Sequence, residues 1–271
     1  MGFARTVEAA LLLAICQAGL CYELADFGLI GFSGDGRYLA WEQRGVYDGS
    51  GFPYCQVTIM SVPDNTVLEV FSTVIDHCEP FPADQLYGTD TTAGDPVLPY
   101  EQTARSMALS EARELMDSLG IVPGDTGRLC VHHPLTDLTP GQRDVRFATG
   151  MYGPDHPASP VFDLVLENRE AAGVDEETME MWVVPPVVLY LALVERGTGR
   201  ETVLADETGT ADESLYCYGY GLRDVTTWRD RYVVVVLRRS VPGFEGPDTR
   251  YRVVTGVLPC FDPAWCYSST G

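Results

Sequence analysis

Two runs of this chain are apolar at almost every position, and they constrain the fold more than any other feature of the sequence. One runs from Val187 to Val194 and the other from Tyr232 to Leu237. Side chains alternate between the two faces of a β-strand, so a strand that is apolar throughout must be covered on both faces. We therefore expect each run to be a central strand that other parts of the chain cover on two sides.

A compact set of strands is predicted near the start of the chain, from about Phe27 to Val74. The predicted strands are Leu29–Phe32, Arg37–Gln43, Tyr54–Val62 and Thr66–Val74. Asp35-Gly36 provides a tight turn between the first two, and Asp64-Asn65 provides a turn between the last two. Four antiparallel strands in about fifty residues match one propeller blade or half of a sandwich sheet.

A loop over 81–100, rich in Pro, Gly, Asp and Thr, precedes the one predicted helix, at about 101–119. Its apolar residues recur at three- and four-residue spacing, and Gly120 is placed to end it. After Arg128 the chain returns to strands. These are predicted at Leu129–His132, Val145–Thr149, Val161–Glu167, Val187–Glu195, Glu201–Ala205, Leu215–Leu222, Tyr232–Arg238 and Arg250–Val257.

The predicted fold class is mainly β, with antiparallel sheets in a propeller-like or sandwich arrangement and one α-helix. We expect a single domain over 22–271, with a loop and helix insertion at about 80–125. The end of the chain echoes its start, because Arg229–Tyr232 and a Gly-Phe-containing loop repeat the order of Asp35–Tyr38 and its Gly-Phe-Pro loop. Two copies suggest a repeat without establishing one.

The N-terminal segment is typical of a cleaved signal peptide. Met1–Arg5 carries one basic side chain, and Val7–Leu20 is an apolar stretch that is too short for a permanent membrane span. We predict a signal peptide over residues 1–21, cleaved after Ala18 or slightly later. The mature protein is then secreted or periplasmic and has no membrane span. A buried N-terminal helix is the alternative interpretation.

The charge of the chain excludes one class of partner. The net charge is −21, from 39 acidic and 18 basic residues, and every basic residue is Arg. A field of this sign repels phosphate backbones and anionic membrane surfaces, so we predict no nucleic-acid partner. We interpret the acidity as a solubility feature, and an acidic site for cations is the alternative.

The cysteine content agrees with export. In an oxidising compartment the cysteines of the mature chain are expected to form disulfides, although their connectivity is open. The favoured pairs are Cys55 with Cys78 and Cys260 with Cys266. The absence of any Cys-x-x-Cys disfavours a metal site. The disulfide candidates are Cys55, Cys78, Cys130, Cys217, Cys260 and Cys266.

Two motifs carry a resemblance to known families. The segment Phe32–Ala40 is similar to the blade motif of periplasmic Tol-type and WD-like β-propellers. A longer set of segments, at Gly31–Tyr54, Pro242–Asp248 and Val254–Gly256, resembles a bacterial family of predicted secreted proteins, domain of unknown function 2259. The resemblance covers nearly the whole mature chain. It implies export and offers no catalytic residues.

No residue pattern indicates a catalytic or metal site. Ser50 lacks the Gly two positions earlier that a nucleophile elbow needs, because Asp48 stands there. His132-His133 lies at the end of a predicted strand, where neighbouring side chains point to opposite faces. We predict no catalytic residues, no metal and no cofactor. Calcium remains an alternative because Asp48–Gly51 and Asp90–Asp95 are rich in oxygen ligands.

Two features are candidates for binding. Three tyrosines alternate along one predicted strand, and rings on one face can stack a sugar or a peptide. Packing in the core or against a neighbouring strand is the favoured interpretation of this ladder. The Gly-Phe-Pro loops that follow Glu42 and Arg239 are the second feature. The candidate binding residues are Asp48, Tyr216, Tyr218, Tyr220, Phe244 and Glu245.

Taken together, these patterns predict a non-enzymatic binding or interaction module of the cell envelope. Its partner would be an envelope protein or a glycan. The alternatives are a secreted hydrolase with an acidic active site and a calcium-stabilised structural protein. A concave cleft that gathers buried Asp, Glu or His would favour the hydrolase, whereas a broad aromatic surface would favour binding.

Overall fold

The computed structural model describes residues 23–76, 99–134, 144–150, 160–172, 174, 185–210, 212–243 and 246–259. Within these ranges the chain forms three four-stranded antiparallel sheets and one α-helix. The mainly β fold class predicted from the sequence is therefore confirmed. The predicted signal peptide lies outside the described residues.

The first sheet is a meander whose strands lie in sequence order. They are β1 Asp26–Phe32, β2 Tyr38–Val46, β3 Pro53–Ser61 and β4 Thr66–Val74. The predicted turns join them. Gly36 and Asn65 have φ values of 74° and 49°, which Gly and Asn tolerate best in tight turns.

The second and third sheets are built from the remainder of the chain. The second has the order β12-β11-β10-β5 and the third the order β6-β7-β8-β9. Their strands are β5 Arg128–His132, β6 Asp144–Ala148, β7 Val161–Glu170, β8 Val187–Glu195, β9 Glu201–Asp206, β10 Gly219–Trp228, β11 Tyr232–Pro242 and β12 Pro247–Val257.

One strand prediction is wrong in its placement. A strand over Leu215–Leu222 was expected, but Glu213–Leu215 forms a short 3₁₀ turn and β10 begins only at Gly219. The backbone amide and carbonyl of Cys217 are bonded to Val187 instead of a strand of the second sheet. This isolated bridge holds the segment before β10 against the third sheet. The pairing of β10 with β11 therefore starts later in the chain than predicted.

The layers stack in the order helix, first sheet, second sheet, third sheet, and β11 explains this order. Val233, Val235 and Leu237 pack into the core shared with the third sheet. Val234 and Val236 pack into the core shared with the first sheet. The prediction of a strand covered on both faces is confirmed for β11, because its continuous apolar run allows two cores to form on opposite faces.

The second apolar run, in β8, is also buried on both faces. Leu189, Leu191 and Leu193 point into the core against the second sheet. On the opposite face Val188 and Ala192 are each 1% exposed. The face-to-face stacking of the three sheets agrees with the predicted propeller-like or sandwich arrangement.

The helix α1, Pro99–Ser118, covers the outer face of the first sheet. Ala104, Ala108 and Ala112 are fully buried and pack in the same cluster as Val57 and Ile59 of β3. Small side chains at this spacing form one face of a helix and permit close approach to the sheet. The predicted helix is confirmed.

The end of α1 is set by Gly120, as predicted. Its φ is 66°, its amide donates to the Asp117 carbonyl at 3.1 Å, and the Ile121 amide donates to the Met116 carbonyl at 2.9 Å. This is the Schellman arrangement, which satisfies the last carbonyls of a helix. No helix among the described residues is long and apolar enough to cross a membrane.

The two segments that echo each other in the sequence meet in space. Gly36, in the turn between β1 and β2, lies against the indole of Trp228 at the end of β10. Phe32 packs on the same indole, with 6.1 Å between ring centroids. The turn after Trp228 has positive φ at Arg229 and Asp230. The tips of the two hairpins therefore form part of the contact between the first and second sheets.

Candidate functional site

A cleft of about 470 Å³ opens between α1 and the β1 edge of the first sheet. It forms because α1 packs mainly over β2, β3 and β4 and leaves the region over β1 uncovered. The segment after the helix closes the other side, where the Gly124 amide donates to the Ile30 carbonyl at 2.8 Å. The lining residues are Leu29, Ile30, Glu42, Arg105, Leu109, Arg113, Met116, Asp117, Pro123 and Gly124.

Glu42 lies at the floor of this cleft and is 4% exposed. The Nε–H of Arg105 donates to both of its carboxylate oxygens, at 2.8 and 2.9 Å. Arg44 Nη1 lies 3.6 Å from Glu42 Oε1. Gly28 faces Glu42 across the strand pair, and a Cβ on Gly28 would lie 2.9 Å from Oε1. Glycine at this position therefore leaves the space that the Glu42 side chain occupies.

The helix wall of the cleft is one face of α1. Arg105, Leu109 and Arg113 follow at four-residue intervals, which places them side by side along the helix axis. Arg113 is exposed, and among the described residues no carboxylate forms an ion pair with it. The cleft therefore combines guanidinium groups on its helix wall with apolar side chains on both walls.

The buried carboxylates among the described residues all have arginine partners. Each pair is a charge-assisted contact that gives the carboxylate a fixed partner within the protein. General acid–base chemistry needs a carboxyl group that is free to exchange a proton with a substrate. The pairs are Glu23 with Arg250 at 2.5 Å, Asp248 with Arg250 at 3.4 Å, Glu42 with Arg105 at 2.8 Å, and Glu207 with Arg252.

The two loops that the sequence singled out approach the same ion pairs. Asp48, in the first loop, donates its amide hydrogen to Glu23 Oε2 at 3.3 Å. Asp248, directly after the second loop, accepts the Glu23 amide hydrogen through Oδ1 at 3.1 Å. Burial raises the pKa of the Asp248 carboxyl, and the Glu23 amide and Arg250 oppose this increase. Phe244 and Glu245 lie outside the described residues.

Aromatic rings complete the junction of the loops. The Tyr47 ring stacks on Tyr54 with 4.3 Å between centroids. The Arg250 guanidinium lies 5.3 Å from the Tyr54 ring centroid, close enough for a cation–π contact. Burial raises the pKa of the Tyr54 hydroxyl. This junction joins the N-terminal segment, the first loop and β12 through ion pairs and ring contacts, which is the arrangement of a structural network.

β4 is an exposed edge strand of the first sheet. Among the described residues it pairs with β3 alone. Four of its apolar side chains are at least two-fifths exposed, and Glu69 is its only charged residue. They are Val67 at 51%, Leu68 at 43%, Val70 at 45% and Val74 at 41%. A long apolar strand with an open edge is a site for pairing with another chain.

Three other sheet edges, those of β1, β12 and β9, are protected. The Val122 amide donates to the Phe32 carbonyl, so the segment after α1 covers the end of β1. The Thr249 amide of β12 donates to the Glu23 carbonyl, so the segment before β1 covers part of the β12 edge. β9 has only six residues and begins and ends with acids, Glu201 and Asp206. Covering, shortness and charge are the usual protections of an edge, and β4 has only a bulge near Leu68.

The predicted tyrosine ladder does not form one exposed face. Tyr216 and Tyr218 precede β10, and only Tyr220 lies within it. Tyr216 is 4% and Tyr220 is 5% exposed, and the Tyr220 hydroxyl donates to the Leu215 carbonyl at 3.0 Å. The favoured interpretation from the sequence, packing in the core, agrees with the position of Tyr220 in the core cluster.

The described cysteines are free thiols, and the predicted Cys55–Cys78 disulfide is not formed. Cys55 and Cys217 are fully buried in two different cores, where they pack as small apolar side chains. Burial raises the pKa of Cys55 to about 12. Cys130, on β5, is partly exposed. Cys78, Cys260 and Cys266 lie outside the described residues.

Within the described ranges, no group of three His, Cys, Asp or Glu side chains is arranged to hold a metal ion. His132 Nδ1 lies 2.6 Å from Asp224 Oδ1 on the surface of the second sheet. His77, His156 and the Asp90–Asp95 loop lie outside the described residues. Calcium therefore remains an alternative for the part of the chain that carries this loop.

The cleft was not predicted from the sequence, although one signal pointed to it. Tyr38, Ala40 and Glu42 alternate on one face of β2, and Ala40 is fully buried. A charged residue that continues the buried face of a strand needs a partner of opposite charge. Arg105, on the polar side of the predicted helix pattern, was available, but only the packing of the helix on the sheet identifies it.

The fold and these sites define a class of mainly β proteins, in which stacked four-stranded sheets bury arginine-paired carboxylates. A family model described as "Predicted secreted protein (DUF2259)" matches residues 40–256. The chain belongs to this family, which confirms the resemblance and the expected export from the cytoplasm. No curated protein and no solved structure matches the chain.

Proposed function

We propose that this protein is an exported, non-enzymatic interaction module that binds an envelope protein through β4. The observation that carries this proposal is the open, apolar edge of β4. Beyond the bulge near Leu68, residues Glu69–Val74 pair regularly with β3. Their outer edge can accept an extended segment by β-strand addition, in which main-chain hydrogen bonds supply affinity and alternate side chains supply specificity.

The charge of the chain favours a different protein over a second copy as the partner. Each copy carries a net charge of −21, so two copies repel each other. A partner segment that is extended and apolar, with arginine or lysine residues beside it, would complement both the strand and the acidic surface around it. We expect a partner of this chemistry.

The pairing of the buried carboxylates with arginines supports binding over hydrolysis. The cleft gathers one buried carboxylate, Glu42, and both of its oxygens accept from Arg105. A glycan-binding face is less supported, because Tyr216 and Tyr220 are buried. The calcium alternative predicts a large change of melting temperature between calcium and a chelator.

Site-specific photo-crosslinking in the native envelope tests the proposal. A benzophenone amino acid is placed at Val70 in β4 or, as a matched control, at Val203 in β9, which is 51% exposed. We expect a crosslinked envelope protein from position 70 and none from position 203. Val74→Lys should reduce the position 70 product at least fivefold, whereas Val203→Lys should not. Equal products from both positions, or a product of twice the chain mass, would contradict the proposal.

A further inference from the structure

We infer that the cleft between α1 and β1 binds a small organic carboxylate with an apolar chain. This inference does not depend on strand addition at β4, because β1 and β4 are the opposite edges of the first sheet. The cleft holds about 470 Å³, which lies within the usual size range of small-molecule sites.

The apolar part of such a ligand would contact both walls of the cleft. Leu29 belongs to the sheet wall, Leu109 and Met116 belong to the helix wall, and Pro123 closes the far side. Met116 is 7% exposed, and its flexible thioether side chain adapts to ligands of different shape. Burial of apolar surface makes each added CH₂ tighten binding by about fourfold.

The donors in the cleft select an anion. Both oxygens of Glu42 already accept from Arg105 Nε, so Glu42 offers little to a cationic ligand. The Nη groups of Arg105 make no ion pair with other described carboxylates, and Arg113 lies two helical turns further along the same face. Guanidinium groups bind carboxylates through paired hydrogen bonds.

The charge around the cleft also affects which ligands can bind there. Two arginines in its lining offset Glu42 and Asp117, so the cleft is nearly neutral in a chain with a net charge of −21. The net negative charge of the chain repels an approaching anion, and the two guanidinium groups offset part of this repulsion at the cleft. The apolar chain then provides the binding free energy, and the guanidinium groups orient the head.

Isothermal titration of the purified chain with short alkyl ligands, below their micelle-forming concentrations, tests this inference. We expect octanoate to bind, hexanoate to bind about sixteenfold more weakly because it has two fewer CH₂ groups, and octanol and octylammonium to bind at least tenfold more weakly than octanoate. An absence of octanoate binding at millimolar concentration would overturn the inference, as would equal affinities for the three head groups.

Two variants locate the site. Arg113→Gln should lower octanoate affinity at least tenfold without changing the melting temperature, because Arg113 is exposed. Leu109→Glu should likewise weaken octanoate binding at least tenfold, since it adds a carboxylate to the helix wall. Arg200→Gln, at an exposed position between β8 and β9, is the matched control and should bind as the parent does. Equal losses in Arg113→Gln and Arg200→Gln would place the ligand elsewhere. The β4 crosslink should persist in Arg113→Gln, which keeps the two proposals separable.

Discussion

Asn65 accepts the backbone amide hydrogen of Thr255 through its side-chain oxygen, at 2.9 Å. Asn65 lies in the turn between β3 and β4, and Thr255 lies in β12 of the second sheet. The Asn65 amide nitrogen also donates to the Leu204 carbonyl of β9 at 3.4 Å. One turn residue of the first sheet therefore contacts both other sheets.

Replacement of Asn65 should separate the effect of its turn conformation from the effect of its side-chain hydrogen bonds. Asn65→Gly preserves the positive φ of 49° but removes the side-chain hydrogen bonds to Thr255 and Leu204, so we expect the free energy of unfolding to fall by about 2 kcal/mol. Asn65→Ala should lose about 1 kcal/mol more, because alanine is strained in the left-handed region. Urea denaturation measures both losses. A change below about 0.5 kcal/mol in Asn65→Gly would show that the hydrogen bonds do not stabilise the stack.

Removal of only one partner of the Glu42–Arg105 pair should lower the stability of the protein. Arg105→Met leaves Glu42 buried with only Arg44 nearby, and we expect the free energy of unfolding to fall by about 2 kcal/mol. This loss is smaller than that for fully buried pairs because the Arg105 side chain is 42% exposed. Glu42→Met combined with Arg105→Met should recover most of this loss, since no charge then remains unpaired.

The matched control for this pair is the exposed pair of Arg146 and Asp163, at 2.8 Å. Arg146→Met should cost less than about 1 kcal/mol, as exposed ion pairs usually do. Thermal and urea denaturation of the single and double variants give these values. If Arg105→Met and Arg146→Met lower the free energy of unfolding by the same amount, then burial of Glu42 does not determine how much the ion pair contributes to stability.

Gly36 should not tolerate a side chain. A Cβ on Gly36 would overlap the Trp228 indole, whereas a Cβ on Gly199 would meet no atom within 4 Å. Both glycines have φ values near 70°, so both alanine variants incur backbone strain of about 1 kcal/mol. We expect Gly36→Ala to lose about 2 kcal/mol more than Gly199→Ala, from overpacking. Calorimetric melting compares the two, and similar melting temperatures would contradict the contact between hairpin tips.

The free thiols should differ in reactivity. Cys55 and Cys217 are fully buried, and burial raises the pKa of both thiols, so neither is exposed or ionised at pH 8. Cys130 is partly exposed and should react first with iodoacetamide. Peptide mass spectrometry of protein labelled before and after unfolding, without reductant, measures each site. Failure to label Cys55 in the unfolded, unreduced protein would indicate a disulfide.

Cys55 should also make stability depend on alkaline pH. Its folded-state pKa is about 12, compared with an ordinary value of 9.0. Below pH 9 the thiol is neutral in both states. Above pH 9 only the unfolded state releases the proton, so stability should fall by about 1.4 kcal/mol per pH unit until pH 12. The stability difference between the parent and Cys55→Ala should shrink over this range, and parallel pH profiles of the two proteins would refute the prediction.

Local features of the sequence determined most of the fold. Alternating and continuous apolar runs predicted the strands, including β4 and β8 with the bounds that the structure has. Gly36, Asn65 and Gly120 marked turns and a helix end because each adopts a positive φ that other residues resist. These effects act within a few residues of chain. The start of β10 was misplaced, because a bridge between Cys217 and Val187, thirty residues apart, decides it.

The sequence by itself determined that the chain is exported, mainly β and built around strands with two apolar faces. Only the tertiary structure decided which elements meet. Among the described residues, it left Cys55 as a free thiol, buried Tyr220, left the outer edge of β4 unpaired and joined Glu42 to Arg105 beside a cleft. The physical reason is that burial, ion pairing and edge protection depend on residues far apart in the chain, whose contacts exist only once the sheets have stacked.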